Sequence, residues 1–275
     1  MIDQKSDFAS INGTQIYYTL AGTGHDETIV MVHAGICDQR MWEHQIAHFS
    51  QRYRVLAFDM RGFGQSKMAE GAFSFTDDIK ALLDHLNIQE AWFMGCSQGG
   101  KMSIHMALHH AEYVKGLVLV APAISGYRYE GESHPLEASI DEADEAGDMA
   151  RLCELEVQVW FDGVGRKPED VNPEARQLVY DMNFIALNTP DELWEQEIEM
   201  QSQMDALATI NKPTLLVVGD LDIPPSLERV DILADCIQGA KKVVMTGTAH
   251  IPNMEYPDKF NQIVDAFLGE VVSRS

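Results

Sequence analysis

Short runs of uninterrupted apolar residues, separated by stretches of helical periodicity, set the rhythm of this chain. Residues 28–32, 54–58, 91–94 and 116–120 are such runs, and each reads as a strand buried on both faces. Residues 15–20 form a further strand. Between these runs, residues 40–49, 75–86 and 101–110 carry helical patterns, with Thr76 as a cap for the second. Strands alternating with helices in this way predict a mostly parallel sheet covered on both faces.

The alternation stops at Pro122. Residues 123–207 are helical, acidic and rich in Met and Trp, without a buried strand. The strand pattern returns at 213–218. A helix at 227–236, a strand at 242–245 and a last helix at 257–271 follow. The pattern predicts one α/β core, residues 1–122 and 208–275, with a helical cap, residues 123–207, inserted into it. Internal repeats and low-complexity linkers are absent from the sequence.

Composition and charge narrow the choice of partners. A chain of 275 residues, 45% of them hydrophobic, can bury roughly three quarters of its unfolded surface. The net charge of −23 repels phosphate backbones and anionic lipid, so neither nucleic acid nor a membrane is expected as a partner. Salt adaptation or steering of a cationic ligand would also use this charge, but a well-solvated surface is the simpler reading. The same holds for the acidic segment at residues 130–148. No stretch is long and apolar enough to span a bilayer, and Met1-Ile2-Asp3-Gln4-Lys5 lacks the features of a signal peptide. A cytoplasmic protein is expected. Cys37, Cys96, Cys153 and Cys236 are scattered, as for reduced, packed thiols. Oligomeric state is not legible.

The densest chemical signal is Gly95-Cys96-Ser97-Gln98-Gly99, between an apolar strand and a helix. In so tight a turn, side chains at the first and fifth positions would collide, which selects glycine. The serine is held at strained backbone angles with its hydroxyl raised above the sheet. The next amide, of Gln98, opens a helix and is a free donor. A serine hydroxyl needs a base, and a histidine base needs a carboxylate to fix its tautomer. Downstream loops after strands offer Asp220 and Asp222 as the acid and His250 as the base. Ligands of open α/β sheets bind beyond the carboxyl ends of strands, where these loops lie.

At this point the chain resembles the α/β-hydrolase superfamily over nearly its full length. Five motifs carry the resemblance: His33-Ala34-Gly35, residues 59–66 (Asp-Met-Arg-Gly-Phe-Gly-Gln-Ser), the Ser97 turn, Gly219-Asp220-Leu221-Asp222, and His250 followed by Glu255 and Pro257. The resemblance implies an eight-stranded sheet with the cap inserted after strand 6. It implies Ser97 as nucleophile, His250 as base and Asp222, rather than Asp220, as the acid. It pairs the Gly35 amide with that of Gln98 as an oxyanion hole, although Ala34 stands where the motif normally has glycine. Ile36, Trp160 and Ile251 are expected to touch substrate, with Trp160 alternatively part of the cap core. The layout is similar to 3-oxoadipate enol-lactonases and small esterases. It implies cleavage of a small ester or lactone through an acyl-enzyme, with no metal or organic cofactor. Carbon–carbon bond hydrolysis, acyl transfer, or a ligand-sensing protein of low turnover remain open on the same residues.

Other signals have plainer readings. His105 and His109 share a helix face without further ligands, Cys96 faces packing, and residues 59–66 lack the ending of a phosphate-binding loop.

Overall fold

A computed structural model describes residues 3–273, so Met1 and Ile2 of the N-terminal reading lie outside the described residues. Eight strands form one sheet: β1 (Gln4–Ile11), β2 (Thr14–Ala21), β3 (Thr28–Val32), β4 (Arg54–Phe58), β5 (Ala91–Cys96), β6 (Val114–Val120), β7 (Thr214–Gly219) and β8 (Lys241–Met245). Their spatial order is β1-β2-β4-β3-β5-β6-β7-β8. β1 and β2 run antiparallel to their neighbours, and from β4 to β8 every pairing is parallel.

Parallel strands need crossovers, and these put helices on both faces. The helices are α1 (Glu43–Phe49), α2 (Phe75–His85), α3 (Gln98–His109), α4 (Glu137–Glu145), α5 (Met149–Val157), α6 (Pro173–Leu187), α7 (Asp191–Trp194), α8 (Pro224–Cys236), α9 (Pro252–Glu255) and α10 (Pro257–Val272). Because β3, β5 and β7 carry apolar residues at nearly every position, each is buried on both faces. One face packs Phe93, Leu117 and Leu216 towards α2, α3 and α8. The other packs Trp92, Val118 and Leu215 with Phe260 and Phe267 of α10.

Two local features differ from the sequence expectation. β1 is a mostly exposed edge strand with little apolar content, so hydrophobic patterning does not reveal it. What holds it is the turn Asn12-Gly13, with φ of 45° and 75°. Left-handed angles at both positions are those of a tight hairpin matched to sheet twist. The α2 cap is Ser74, whose hydroxyl accepts from the Asp77 amide at 3.3 Å, and not Thr76, which lies inside the first turn.

Between β6 and β7 lie α4 to α7, and the only strand-like feature described there is an isolated bridge from Glu197 to Phe73. The acidic α4 buries Ala143 alone, as expected of a solvated face. No helix among the described residues is long and apolar enough to cross a membrane.

Candidate active site

Ser97 sits where β5 turns into α3, with φ 50° and ψ −111°. A left-handed backbone at a residue with a Cβ is strained and persists only where its surroundings fix it. Here they do so by contact. A Cβ on Gly95 would lie 2.3 Å from the Gly99 carbonyl oxygen, and one on Gly99 would lie 2.2 Å from the Val32 oxygen. The strand–turn–helix therefore closes only with glycine at both ends, and Cys96 between them is fully buried, with burial pushing its thiol pKa up. Gly99→Ala is expected to destabilise the protein by about 3 kcal/mol or more, because the obstacle is backbone. Gly24→Ala, which meets open space, should stay within about 0.5 kcal/mol. Urea-unfolding midpoints compare the two.

The loop after β7 presents Asp222 and the loop after β8 presents His250, both almost fully buried. Asp222 Oδ2 and His250 Nδ1 are 2.7 Å apart, while Asp222 Oδ1 accepts from the Ile223 amide at 2.7 Å. The carboxylate thus fixes the ring with its proton on Nδ1. Asp220 is placed differently. Its Oδ1 accepts from the Gly247 amide at 2.7 Å at the exposed rim, tying the two loops together. Behind the pair, Ser226 Oγ lies 3.4 Å from His250 Nδ1 and accepts from Arg229 Nη2 at 3.0 Å. Arg229 also donates to the Pro122 carbonyl at the end of β6.

His250 Nε2 is buried and has no partner among the described residues. His250 lines a cavity of about 420 Å³ together with Ser97, Gln98, Gly35, Ile36 and Trp160. Ser97 makes no side-chain hydrogen bond among the described residues, which is common for such pairs before substrate tightens them. The Gly35 and Gln98 backbones adjoin here: a Cβ on Gly35 would lie 3.7 Å from Gln98 Cβ. Neither amide donates to another described group, so both are available to a ligand oxygen.

The loop carrying Gly35 is held by His33. Its Nδ1 donates to the Ala34 carbonyl at 2.8 Å and its Nε2 accepts from the Met60 amide at 2.9 Å. Protonating Nε2 would break the second bond, and complete burial pushes the imidazole pKa down to about 4. Ala34 is accommodated here because its φ is not left-handed and its methyl is buried. The unfolded chain takes up a proton on His33 near pH 6.5 that the folded chain refuses until about pH 4. Its contribution, about 3 kcal/mol, is therefore complete above the former value and lost as pH falls towards the latter. Asp59 acts in the opposite sense. Burial, with Asp38 beside it, pushes its carboxyl up to about 7, so its effect worsens as pH rises. Because the two offset in global stability, His33 is best followed directly: its ring NMR resonances should not titrate between pH 8 and pH 5.

Trp160 lies in a π-helical turn, Gln158–Asp162, that continues α5. Its ring centroid is 4.6 Å from that of His250. Arg166 holds the turn against the His250 loop: it donates to the Phe161 and Asp162 carbonyls and pairs with Glu255, whose other oxygen accepts from the Ala249 amide at 2.6 Å. Beyond Trp160 opens a second, larger cavity of about 1050 Å³, partly lined by Leu136, Ile140 and Pro224.

Of the residues expected to touch substrate, Ile36 and Trp160 line the smaller cavity, but Ile251 does not. It is fully buried in the apolar cluster that also holds Met245, Met254 and Phe260, at the residue directly before α9. Lys101 and Glu197 also line the cavity, and sequence reasoning passed over both. The signal available for Lys101 was a cation in the first turn of α3, where acidic residues are favoured. Glu197 carried none. His105 and His109, with ring centroids 4.3 Å apart, belong to no metal-binding group among the described residues.

A doubly wound sheet with a strained serine turn and a buried Asp–His pair at the carboxyl ends of its strands has the layout of an α/β-hydrolase. The chain belongs to the alpha/beta hydrolase fold family, whose sequence profile matches residues 27–257. It is 26% identical over 265 residues to 3-oxoadipate enol-lactonase 1 of Acinetobacter baylyi, covering 94% of this chain and 95% of that one. Over 267 residues it is 24% identical to pimeloyl-(acyl-carrier protein) methyl ester esterase of Vibrio vulnificus, covering 94% and 99%. Among solved structures, the enol-lactonase of Burkholderia xenovorans LB400 superposes with a TM-score of 0.79 at 25% identity, covering 96% and 100%.

Proposed function

We propose that this protein is a serine hydrolase that cleaves a small carboxylic ester or lactone through an acyl-enzyme. The observation that carries the reading is the buried Asp222–His250 pair, 2.7 Å apart, whose histidine leaves Nε2 unpartnered and lines the same cavity as Ser97. Lactonase and esterase relatives support the substrate class. Residues 1–122 and 208–275 act as the core in this reading, and residues 123–207 as the cap that bounds the site.

Attack begins when His250 Nε2 takes the Ser97 proton and Oγ adds to the substrate carbonyl. Asp222 stabilises the imidazolium that results and keeps the ring oriented. Negative charge then develops on the carbonyl oxygen, where the Gly35 and Gln98 amides would meet it. Such a donor is typically worth about 3 kcal/mol to the transition state. Gln98 also starts α3, so the helix dipole adds to its pull. His250 next gives its proton to the leaving alkoxide, and water hydrolyses the acyl-enzyme by the same steps in reverse. In a lactone the leaving alkoxide stays attached, so one hydroxy acid is released. Trp160, whose ring centroid lies 4.6 Å from that of His250 at a tilt of 50°, limits water around the imidazole.

The test is steady-state hydrolysis of p-nitrophenyl butyrate and of simple lactones by the purified chain. Multiple turnovers support the reading. A single burst without turnover would instead assign a ligand-sensing role, and carbon–carbon cleavage of a dienoate without ester hydrolysis would replace ester chemistry.

A further inference from the structure

Lys101 and Glu197 bring opposite charges to the wall of the cavity that holds Ser97, and neither charge is used by the protein. Lys101 lies one turn into α3, its amide donating to the Ser97 carbonyl at 3.0 Å. Its own carbonyl accepts from Gln203, a buried side chain whose Oε1 also accepts from the Ser125 amide. The Lys101 backbone is thereby fixed while its ammonium group has no hydrogen bond or ion pair among the described residues. A cation near a helix N-terminus is unfavourable, and α3 has no acidic residue in its first turn to offset it.

Glu197 lines the same cavity from the segment between α7 and β7. Its backbone is pinned: the Ile198 amide donates to the Phe73 carbonyl at 2.7 Å and the Phe73 amide to the Gln196 carbonyl at 3.1 Å. Its carboxylate is half-buried without a hydrogen bond or ion pair. Burial pushes its pKa up and Lys101 opposes that shift, so the two charges sense each other without touching. Half-buried charges held apart on fixed backbones cost stability and return none. A ligand between them would recover that cost.

We propose that Lys101 and Glu197 form a polar subsite for a neutral substrate group that both accepts and donates a hydrogen bond: a hydroxyl or carboxamide on the ester or lactone. The inference rests on the serine-hydrolase reading of the same cavity. Lys101 can only donate and ionised Glu197 can only accept, so the group between them must do both. An anion would meet Glu197, an ammonium would meet Lys101, and a methylene would leave both unpaired. Hydrogen bonds to charged groups discriminate by about tenfold or more each.

The experiment compares matched small alkyl esters, with a hydroxyl or carboxamide on the acyl or alcohol portion, against their unsubstituted parents. Each pair is measured as a ratio of kcat/KM in the wild type, Lys101→Met, Glu197→Met, which removes the acceptor, and the double variant. A ratio is indifferent to the amount of folded enzyme. The wild type should favour the polar member of at least one pair by about tenfold or more, expressed mainly in KM. Either substitution should remove most of that preference, and the double variant should lose little more than each single one. A ratio that stays within about twofold of the wild type in both variants overturns the subsite. So does a wild type without polar preference, or a preference lost in Lys101→Met alone, which would mark an anion site. Calorimetric binding of the same esters to Ser97→Ala repeats the comparison without chemistry. Turnover that persists in Ser97→Ala contradicts Ser97 as the nucleophile of the proposed serine hydrolase, while the binding ratios still decide the subsite.

Discussion

Ser97→Ala is expected to lower kcat for p-nitrophenyl butyrate by roughly a millionfold while leaving the protein folded. In triads of this kind, loss of the nucleophile costs about as much as loss of the whole unit, since base and acid then have nothing to activate. In the proposed mechanism the residual rate is what the Gly35 and Gln98 amides and substrate binding supply. Alanine keeps the Cβ that the turn already accommodates at φ 50°, so circular dichroism and the unfolding midpoint should match the wild type. Steady-state kinetics of the pair make the comparison. Loss below about a hundredfold would mean that another group attacks the carbonyl.

The second large effect separates two aspartates two residues apart. Asp222→Asn should lower kcat by about ten-thousandfold, whereas Asp220→Asn should change it by less than about twofold. The Ile223 amide donates to Asp222 Oδ1, so an asparagine there keeps its carbonyl oxygen on that side and turns its NH₂ towards His250. The imidazole must then accept at Nδ1 and carry its proton on Nε2, which leaves it unable to take the Ser97 proton. Asp220 meets only the Gly247 amide at the rim, and an asparagine oxygen can accept that bond. kcat at saturating ester for both variants checks the assignment, and a larger loss at Asp220 would reverse it.

How much of this was legible in the sequence depends on what holds each element. Strands buried on both faces announce themselves as continuous apolar runs, so β3 to β7 could be read within a few residues. β1 could not, because it is fixed by pairing and by the Asn12-Gly13 turn rather than by apolar content. The turn itself was a usable signal. Gly95, Ser97 and Gly99 were legible because steric closure leaves few alternatives. The residues alone left Asp220 and Asp222 open, since both follow β7. Their difference is the direction in which each side chain leaves the loop, which resemblance suggested and the contact distances describe. Ile251 follows His250 in sequence, yet it lies fully buried in an apolar cluster and is not among the residues that line the cavity with His250, a difference adjacency does not encode. Lys101 and Glu197 line one cavity from segments 96 residues apart in sequence, a proximity no periodicity encodes.

The most direct measurement is covalent capture of the attacking atom. The protein is incubated with an alkyl fluorophosphonate, which reacts with a serine activated by a neighbouring base, and its intact mass and peptide map are recorded. One adduct per chain is predicted, on the peptide that contains Ser97, with labelling suppressed in Asp222→Asn. An unmodified Ser97 beside continuing ester turnover, or an adduct on another residue that abolishes turnover, would contradict Ser97 as the nucleophile.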